Sequence, residues 1–202
     1  MIRAQMREGD IDIKPKDLPR LNEWKPAVSS PGYFTPEECD KVIAYSGEME
    51  SGHVEGEDEK KSNRQCQVAW IEPTTPGAEW IFQKTKFLVD EANGKFYRSD
   101  LFGFTERLQI TKYQAGSFQN WHMDMGHGRY SVRKLTFSIQ LSAPEDYEGG
   151  EFEVLCYYDP MSFPKDRGTM IVMPTYMVHR VKPVTSGIRF SLVGWIGGPH
   201  YR

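Results

Sequence analysis

From Gly103 onward the sequence alternates apolar and polar residues at period two, and this alternation constrains the fold more than any other feature of the chain. Phe104, Leu108 and Ile110 interleave with Thr105, Arg107, Gln109, Thr111 and Tyr113, and Leu135, Phe137, Ile139 and Leu141 interleave with Thr136, Ser138 and Gln140. Successive side chains of a β-strand point to opposite faces, so each run predicts a strand with one apolar face. Asp146 to Gly150 supplies a turn before a strand at 151–157, and runs at 168–173 and 188–196 complete the set. The polar faces admit two readings. Thr136, Ser138 and Gln140 either face water, as half of an antiparallel sheet commonly does, or line a barrel that holds a polar ligand. Spacing does not choose between them.

The first hundred residues follow another pattern. Residues 1–31 mix charges and prolines without a period, which predicts an extended arm lying on the domain. Thr35-Pro36-Glu37-Glu38 then offers an N-cap threonine, a proline at the first helical position and a glutamate placed for a capping box. A helix over 36–49 follows, with Cys39, Val42 and Ile43 on its buried side. Residues 51–63, with Glu55, Glu57, Asp58, Glu59, Lys60 and Lys61, have almost nothing to bury and read as a solvated loop or as a flap beside a site. A strand at 67–71 leads to a second helix over 77–93, with Trp80/Phe87 and Ile81/Leu88 on one face and Gly94 as its stop. Helices come first and strands after. The order predicts an α+β chain whose C-terminal half is an antiparallel sandwich or barrel.

The chain has 202 residues, enough for one compact domain, here 32–202 with its barrel core at about 104–198. Lys plus Arg is 25 against 28 for Asp plus Glu, a net charge of −3, and no basic run offers a track for phosphates. Nucleic acid is therefore not favoured as a partner. Cys39, Cys66 and Cys156 form no C-x-x-C pair, and an odd count does not suggest a disulfide framework, so a reducing compartment fits best. With no signal-like apolar stretch and no membrane-length run, a soluble, cytoplasmic protein without a membrane partner is expected.

Within this frame one triplet is chemically suggestive. On a strand, His122 and Asp124 of His122-Met123-Asp124 point to the same side, giving an imidazole and a carboxylate next to each other. They are two of the three ligands in the two-histidine, one-carboxylate set that leaves half of an octahedral iron(II) open. The other histidines are His53, His127, His179 and His200. His127 follows His122 across Gly126 and could ligate only in a different geometry. His179, in Pro174-Thr175-Tyr176-Met177-Val178-His179, lies at the turn between two predicted strands. Antiparallel strands of a barrel can bring it beside His122. Arg189 lies mid-strand among apolar residues, so its guanidinium must reach either water or an anion, and its planar fork suits a carboxylate.

His122-x-Asp124, Glu148-Gly149-Gly150-Glu151-Phe152, Arg167-Gly168-Thr169-Met170, His179-Arg180-Val181-Lys182-Pro183-Val184 and Gly187-Ile188-Arg189-Phe190-Ser191-Leu192-Val193-Gly194-Trp195-Ile196 occur in this order. Together they resemble the 2-oxoglutarate and iron(II)-dependent dioxygenases, in particular the prolyl 4-hydroxylase-like branch of PKHD-type hydroxylases. The resemblance covers roughly residues 33–198, since Phe34-Thr35-Pro36-Glu37-Glu38-Cys39 is similar to that branch's first helix.

The resemblance implies a double-stranded β-helix, a jelly-roll barrel of the cupin type, buttressed by the N-terminal helices. It implies Fe(II) held by His122, Asp124 and His179, with 2-oxoglutarate gripped at its distal carboxylate by Arg189 and reached by Tyr113. Thr136 and Gln140 match inward-facing cosubstrate positions, although relatives often carry a tyrosine where Gln140 stands. Ser191 and Trp195 share the inward parity of Arg189, toward cosubstrate and substrate respectively. Arg64 follows the loop that in relatives closes over substrate, and is a second substrate candidate. The implied reaction consumes O2, with ascorbate as reductant, and hydroxylates a C–H bond of a prolyl residue in a peptide or protein. The same machinery could act on a free amino acid, another small metabolite or an alkylated base. A zinc hydrolase or a non-catalytic barrel could use the same triad, but a hydrolase has no need of a buried cation ten residues past its third ligand.

Overall fold

The computed structural model describes residues 25–52 and 63–200. In chain order the elements are β1 (Val28–Ser30), α1 (Pro36–Ala44), β2 (Glu50–Ser51), β3 (Arg64–Gln65), β4 (Gln67–Ile71), α2 (Glu79–Ala92), β5 (Gly103–Phe104), β6 (Leu108–Gln114) and β7 (Phe118–His122). Then come β8 (Arg133–Gln140), β9 (Tyr147–Gly149), β10 (Phe152–Cys156), β11 (Asp159–Ser162), β12 (Met170–Pro174), β13 (His179–Val181) and β14 (Val184–Gly197). All pairings among the described residues are antiparallel. A major sheet runs β1-β12-β8-β14-β6-β4-β2, with β5 and β9 also on β14, and a minor sheet runs β11-β10-β13-β7-β3. This is a jelly-roll, the double-stranded β-helix, with the cavity described below lined from both sheets.

The period-two pattern explains how the layers assemble. On the major sheet Leu108, Ile110, Leu135, Phe137, Ile139, Leu192 and Ile196 face one way, onto Phe34, Cys39, Val42, Ile81 and Val89 at or near the two helices. Residues of the opposite parity, among them Gln109, Thr111, Tyr113, Thr136, Ser138, Ser191 and Trp195, face the minor sheet and line the cavity. Every residue of β8 is buried, because helices cover one of its faces and the barrel closes over the other. Thr136, Ser138 and Gln140 therefore line the interior and do not face water. Burying a Leu, Ile or Phe contributes about 1.5–3 kcal/mol each, so the outward parity drives helix docking while the inward parity is left for polar work. Gly194 permits the closest packing: a Cβ there would meet Phe137 Cζ at 2.4 Å and Leu108 Cδ2 at 2.7 Å.

The helices depart from expectation at their ends and faces. The capping box at Thr35 forms as the sequence predicts, with Glu38 N donating to Thr35 Oγ1 at 3.2 Å and Thr35 N donating to Glu38 Oε2 at 2.8 Å. However, α1 stops at Ala44 rather than running to 49, and the chain turns through Tyr45 and Ser46, whose amides bond back to the last turn. α2 buries Ile81, Thr85, Val89 and Ala92, whereas Phe87 is 60% exposed, so the Trp80/Phe87 stripe is not the buried face. Thr85 can be buried because its hydroxyl donates to Ile81 O at 2.7 Å. Gly94 does not end the helix either. One π turn continues to Tyr97, and Arg98, at φ 51°, ends it in the left-handed region.

Two further segments differ from the sequence reading. Within the expected arm, Val28–Ser30 pairs in register with Met170 to Val172 as the edge of the major sheet. The alternating run at 104–113 is two strands, β5 and β6, separated at 105–107. Most of the 51–63 loop, with His53, lies outside the described residues, as do residues 1–24 of the arm. Among the described residues no helix is long and apolar enough to cross a membrane.

Candidate metal centre

Strand register brings the triad together. His179 opens β13 directly opposite His122, the last residue of β7, and the two rings stand 4.1 Å apart between centroids. Asp124 lies two residues past the end of β7, so strand alternation is not what aims it. Instead its amide and that of Met125 both donate to Thr175 O, at 3.0 and 3.1 Å, and this turn folds the carboxylate back toward the rings. Asp124 Oδ1 is 3.8 Å from His122 Nε2, and Oδ2 is 3.6 Å from His179 Nε2.

The donor atoms fit a metal ion. One ligand atom from each of His122, Asp124 and His179 lies within 4.8 Å of the others. Ligands held roughly 2.1 Å from a shared ion stand about 3–4 Å apart, as the Asp124 carboxylate does from each imidazole. The tautomers agree. His122 Nδ1 is 2.8 Å from Asn120 O and His179 Nδ1 is 2.9 Å from Met177 O, so each ring N–H donates to a carbonyl and each Nε2 lone pair faces Asp124. At His122 that lone pair accepts from Gln119 Nε2 at 2.8 Å, a contact that a bound ion would replace.

Electrostatics hold the same charge states. Burial, reinforced by the facing His179, pushes the His122 imidazole down from 6.5 to about 4, so it is neutral and ready to ligate. Burial alone would raise the Asp124 carboxyl, but His179, His122 and Arg133 outweigh it and hold it below its usual range. Arg133 also fixes the backbone here: its Nη1 donates to Asp124 O at 2.9 Å while Nε and Nη2 grip Glu106 at 2.6 and 2.7 Å. Its guanidinium lies 4.1 Å from the Trp195 ring centroid and 4.4 Å from that of Tyr130.

The triad opens into a cavity of about 590 Å³. Arg64, Tyr113, Thr136, Ser191 and Trp195 line it, as do Gln109, Thr111, Gln119 and Arg133. Arg64, on β3 opposite Gln119, donates from Nη2 to Gln109 Oε1 at 2.6 Å and from Nε to Cys66 Sγ at 2.9 Å. Thr136 pairs with Trp195 and donates to Gly194 O at 3.3 Å, which places it at the Trp195 end of the barrel. His127 is exposed and outside the triad, and His200 contacts Ser131 Oγ at the surface.

Arg189 is wholly buried on β14, opposite Tyr113 on β6, with its Cζ 5.2 Å from the Tyr113 ring centroid. Its Nη2 donates to Gln140 Oε1 at 2.7 Å, whereas Nε and Nη1 have no hydrogen-bond partner among the described residues. A buried cation with two idle donors is costly unless an anion arrives. Tyr113 connects the two ends: its face lies under Arg189, and its hydroxyl donates at 3.3 Å to Gln119 Oε1, which in turn reaches His122. Burial pushes the Tyr113 phenol up to about 12, so it remains a neutral donor.

Sequence reading placed the triad, Arg189, Tyr113, Gln140 and Ser191 in the interior, and the structure gathers them there. It did not find Arg133, Glu106, Gln119, Gln109 or Phe152. The Phe152 ring packs 5.6 Å from that of His179, and its signal was the apolar residue after Gly150-Glu151 at the head of a strand. No spacing marked the other four.

Residues 108–197 match the family model described as the 2OG-Fe(II) oxygenase superfamily. Over that stretch, which carries the barrel and the triad, the chain is similar to that superfamily. A PKHD-type hydroxylase of Hyphomonas neptunium is 42% identical over 85 residues, 40% of this chain and 38% of the relative, so the chain spans less than half the length of the relative it matches. A prolyl-4-hydroxylase of Pseudomonas putida shares the fold with a TM-score of 0.68 at 21% identity, over 86% of this chain and 93% of that one. A prolyl hydroxylase of Trichoplax adhaerens, solved in complex with a hypoxia inducible factor peptide fragment, superposes with a TM-score of 0.69 at 15% identity, over 85% and 83%.

Proposed function

We propose that this chain is an Fe(II)- and 2-oxoglutarate-dependent dioxygenase that hydroxylates a C–H bond, releasing succinate and CO2, and that its substrate is a prolyl residue in a peptide or protein. The observation that carries the reading is Arg189, a buried guanidinium with idle donors in the same barrel as a two-histidine, one-carboxylate triad. A hydrolytic zinc site would use the triad and leave the cation unexplained.

His122, Asp124 and His179 would hold iron(II), which when bound supplies the oxidising chemistry that couples 2-oxoglutarate decarboxylation to hydroxylation. Three protein ligands would leave such an ion open to the cosubstrate. Arg189 takes the distal carboxylate in a charge-assisted, forked contact, with Gln140 and Ser191 beside it. Tyr113 donates toward the cosubstrate between the two ends. At the mouth, Arg64, Thr136 and Trp195 bound the space in which a substrate side chain would stand, and the cavity is of a size that takes a small ligand or one inserted residue. Phe152, Met173 and Val181 exclude water from the same chamber. The peptide carried by the Trichoplax adhaerens neighbour and the PKHD-type relative support a peptidyl substrate.

The test has two stages. Anaerobic protein with Fe(II) and 2-oxoglutarate should show a weak visible charge-transfer band, lost in Arg189→Ala while metal affinity is kept. Equal loss of metal and cosubstrate would refute the role given to Arg189. In air, with ascorbate as reductant, a proline-containing peptide library should yield a product heavier by one oxygen atom. Turnover of free proline with no peptide product would move the substrate to the small-molecule class.

A further inference from the structure

At the end of the barrel away from Trp195, three buried side chains besides Arg189 leave polar atoms without partners: Gln140 Nε2, Tyr147 Oη and Thr169 Oγ1. Their residues are 1%, 4% and 0% exposed. Orphaned buried polar atoms are rare because each forfeits its hydration, so several in one place call for a shared ligand.

They do share one place. Gln140 accepts from Arg189 Nη2 through Oε1, which leaves its amide NH2 free to donate to a further group. Thr169 is beside Gln140 on the neighbouring strand position, with Gln140 N donating to Thr169 O at 2.9 Å. Tyr147, on β9, pairs with Gly187 two residues before Arg189. The tightest marker is Gly150, at φ +64°, where a Cβ would stand 3.1 Å from Arg189 Cδ and 3.2 Å from Tyr147 Cε2. A side chain at 150 would push between the ring and the guanidinium. Lys165 Nζ stands over the Tyr147 ring, 4.4 Å from its centroid. Burial raises the Tyr147 phenol and Arg189 pulls it back, consistent with a hydroxyl whose oxygen faces the cation.

The guanidinium and the Gln140 amide can only donate here, and a hydroxyl with its lone pairs toward a cation has its proton left to give. We infer that Tyr147 and Gln140 complete the receptor for the distal carboxylate of 2-oxoglutarate, so that one oxygen is held by Arg189 and the other by the Tyr147 hydroxyl and the Gln140 amide. Thr169 closes the floor. A water in the same place would satisfy some donors but leave the charge uncompensated. The inference rests on the 2-oxoglutarate reading above, and its test separates the two.

Calorimetric titration of Mn(II)-loaded protein, which binds without turnover, compares 2-oxoglutarate with pyruvate, a 2-oxo acid lacking the distal carboxylate. Tyr147→Phe should weaken 2-oxoglutarate binding about tenfold, the scale of a hydrogen bond to a charged group, and leave pyruvate and Mn(II) affinities unchanged. Without ligand, Tyr147→Phe should melt at or above the wild-type temperature, since it removes an unpaired buried hydroxyl. Gln140→Leu should show the same ligand pattern. Equal 2-oxoglutarate affinity in Tyr147→Phe and wild type, or an equal loss for pyruvate, overturns the inference alone. Wild-type protein that fails to bind 2-oxoglutarate overturns the functional reading as well.

Discussion

His122 and His179 face each other across β7 and β13, so a proton taken up by the His122 imidazole would stand against the ring of its partner. In the metal-free protein burial and this opposition hold His122 near 4. The unfolded chain therefore binds a proton between about pH 4 and the ordinary value of 6.5 that the native state does not. Stability should rise with pH across that window and fall on acidification. Asp124, shifted below 3.8, acts only at lower pH. Melting temperatures of metal-free wild type and His122→Asn, followed from pH 7 to 4.5, should converge as pH falls; parallel curves would rule out the depressed imidazole.

The triad is specific among the histidines. Asp124→Ala and His179→Ala should each lower Mn(II) affinity by at least about a hundredfold, since a three-ligand site loses its geometry with any member. His127→Ala, only three residues from Asp124 but outside the triad, should leave it unchanged. Titration of free Mn(II) by electron paramagnetic resonance distinguishes the two classes.

Arg133 ties the Asp124 carbonyl to the Glu106 carboxylate and packs against two aromatic rings. Arg133→Met strands Glu106 in a mostly buried position and should cost about 3 kcal/mol by denaturant unfolding. It should also weaken metal binding about tenfold through the loosened Asp124 turn. Adding Glu106→Gln should restore much of the stability without restoring the metal affinity. Recovery of both would mean that Arg133 acts only through the ion pair.

Gly194 and Phe137 test the packing between the major sheet and the helices. Gly194→Ala drives a methyl into the Phe137 ring and should destabilise by about 1–3 kcal/mol. Phe137→Leu opens room, so the double variant should be more stable than the sum of the single losses predicts. Strict additivity in urea melts would show that the sheet shifts instead.

The parts of this molecule that follow a period could be read before the structure. The alternation at 135–141 separated the two faces of β8 without saying what covers the polar one, and Thr35-Pro36 marked the start of α1, because backbone geometry repeats residue by residue. The triad and Arg189 emerged from the resemblance carried by five short motifs in order, since spacing alone left His179 and Arg189 open. The buried face of α2 did not, since stripes seven apart exist on two sides and a threonine, Thr85, takes a core place by bonding to its own helix. Arg133 and Glu106 are 27 residues apart, and Tyr147 meets Arg189 through a bulged pairing of β9 with β14. Such partnerships depend on how strands register in three dimensions and leave no mark in the linear order. β1 is three residues long, and its partner lies some 140 positions away.

β14 carries Arg189, Ser191 and Trp195 on one inner face of a single unbroken strand. Six residues of strand separate the first from the last, about 20 Å at the usual rise. The span between Arg189 and Trp195 is thus set by the pitch of covalent backbone and not by loops that can drift. The strand is a ruler. Loops around the cavity can diverge while the spacing of these side chains along it stays as the strand sets it.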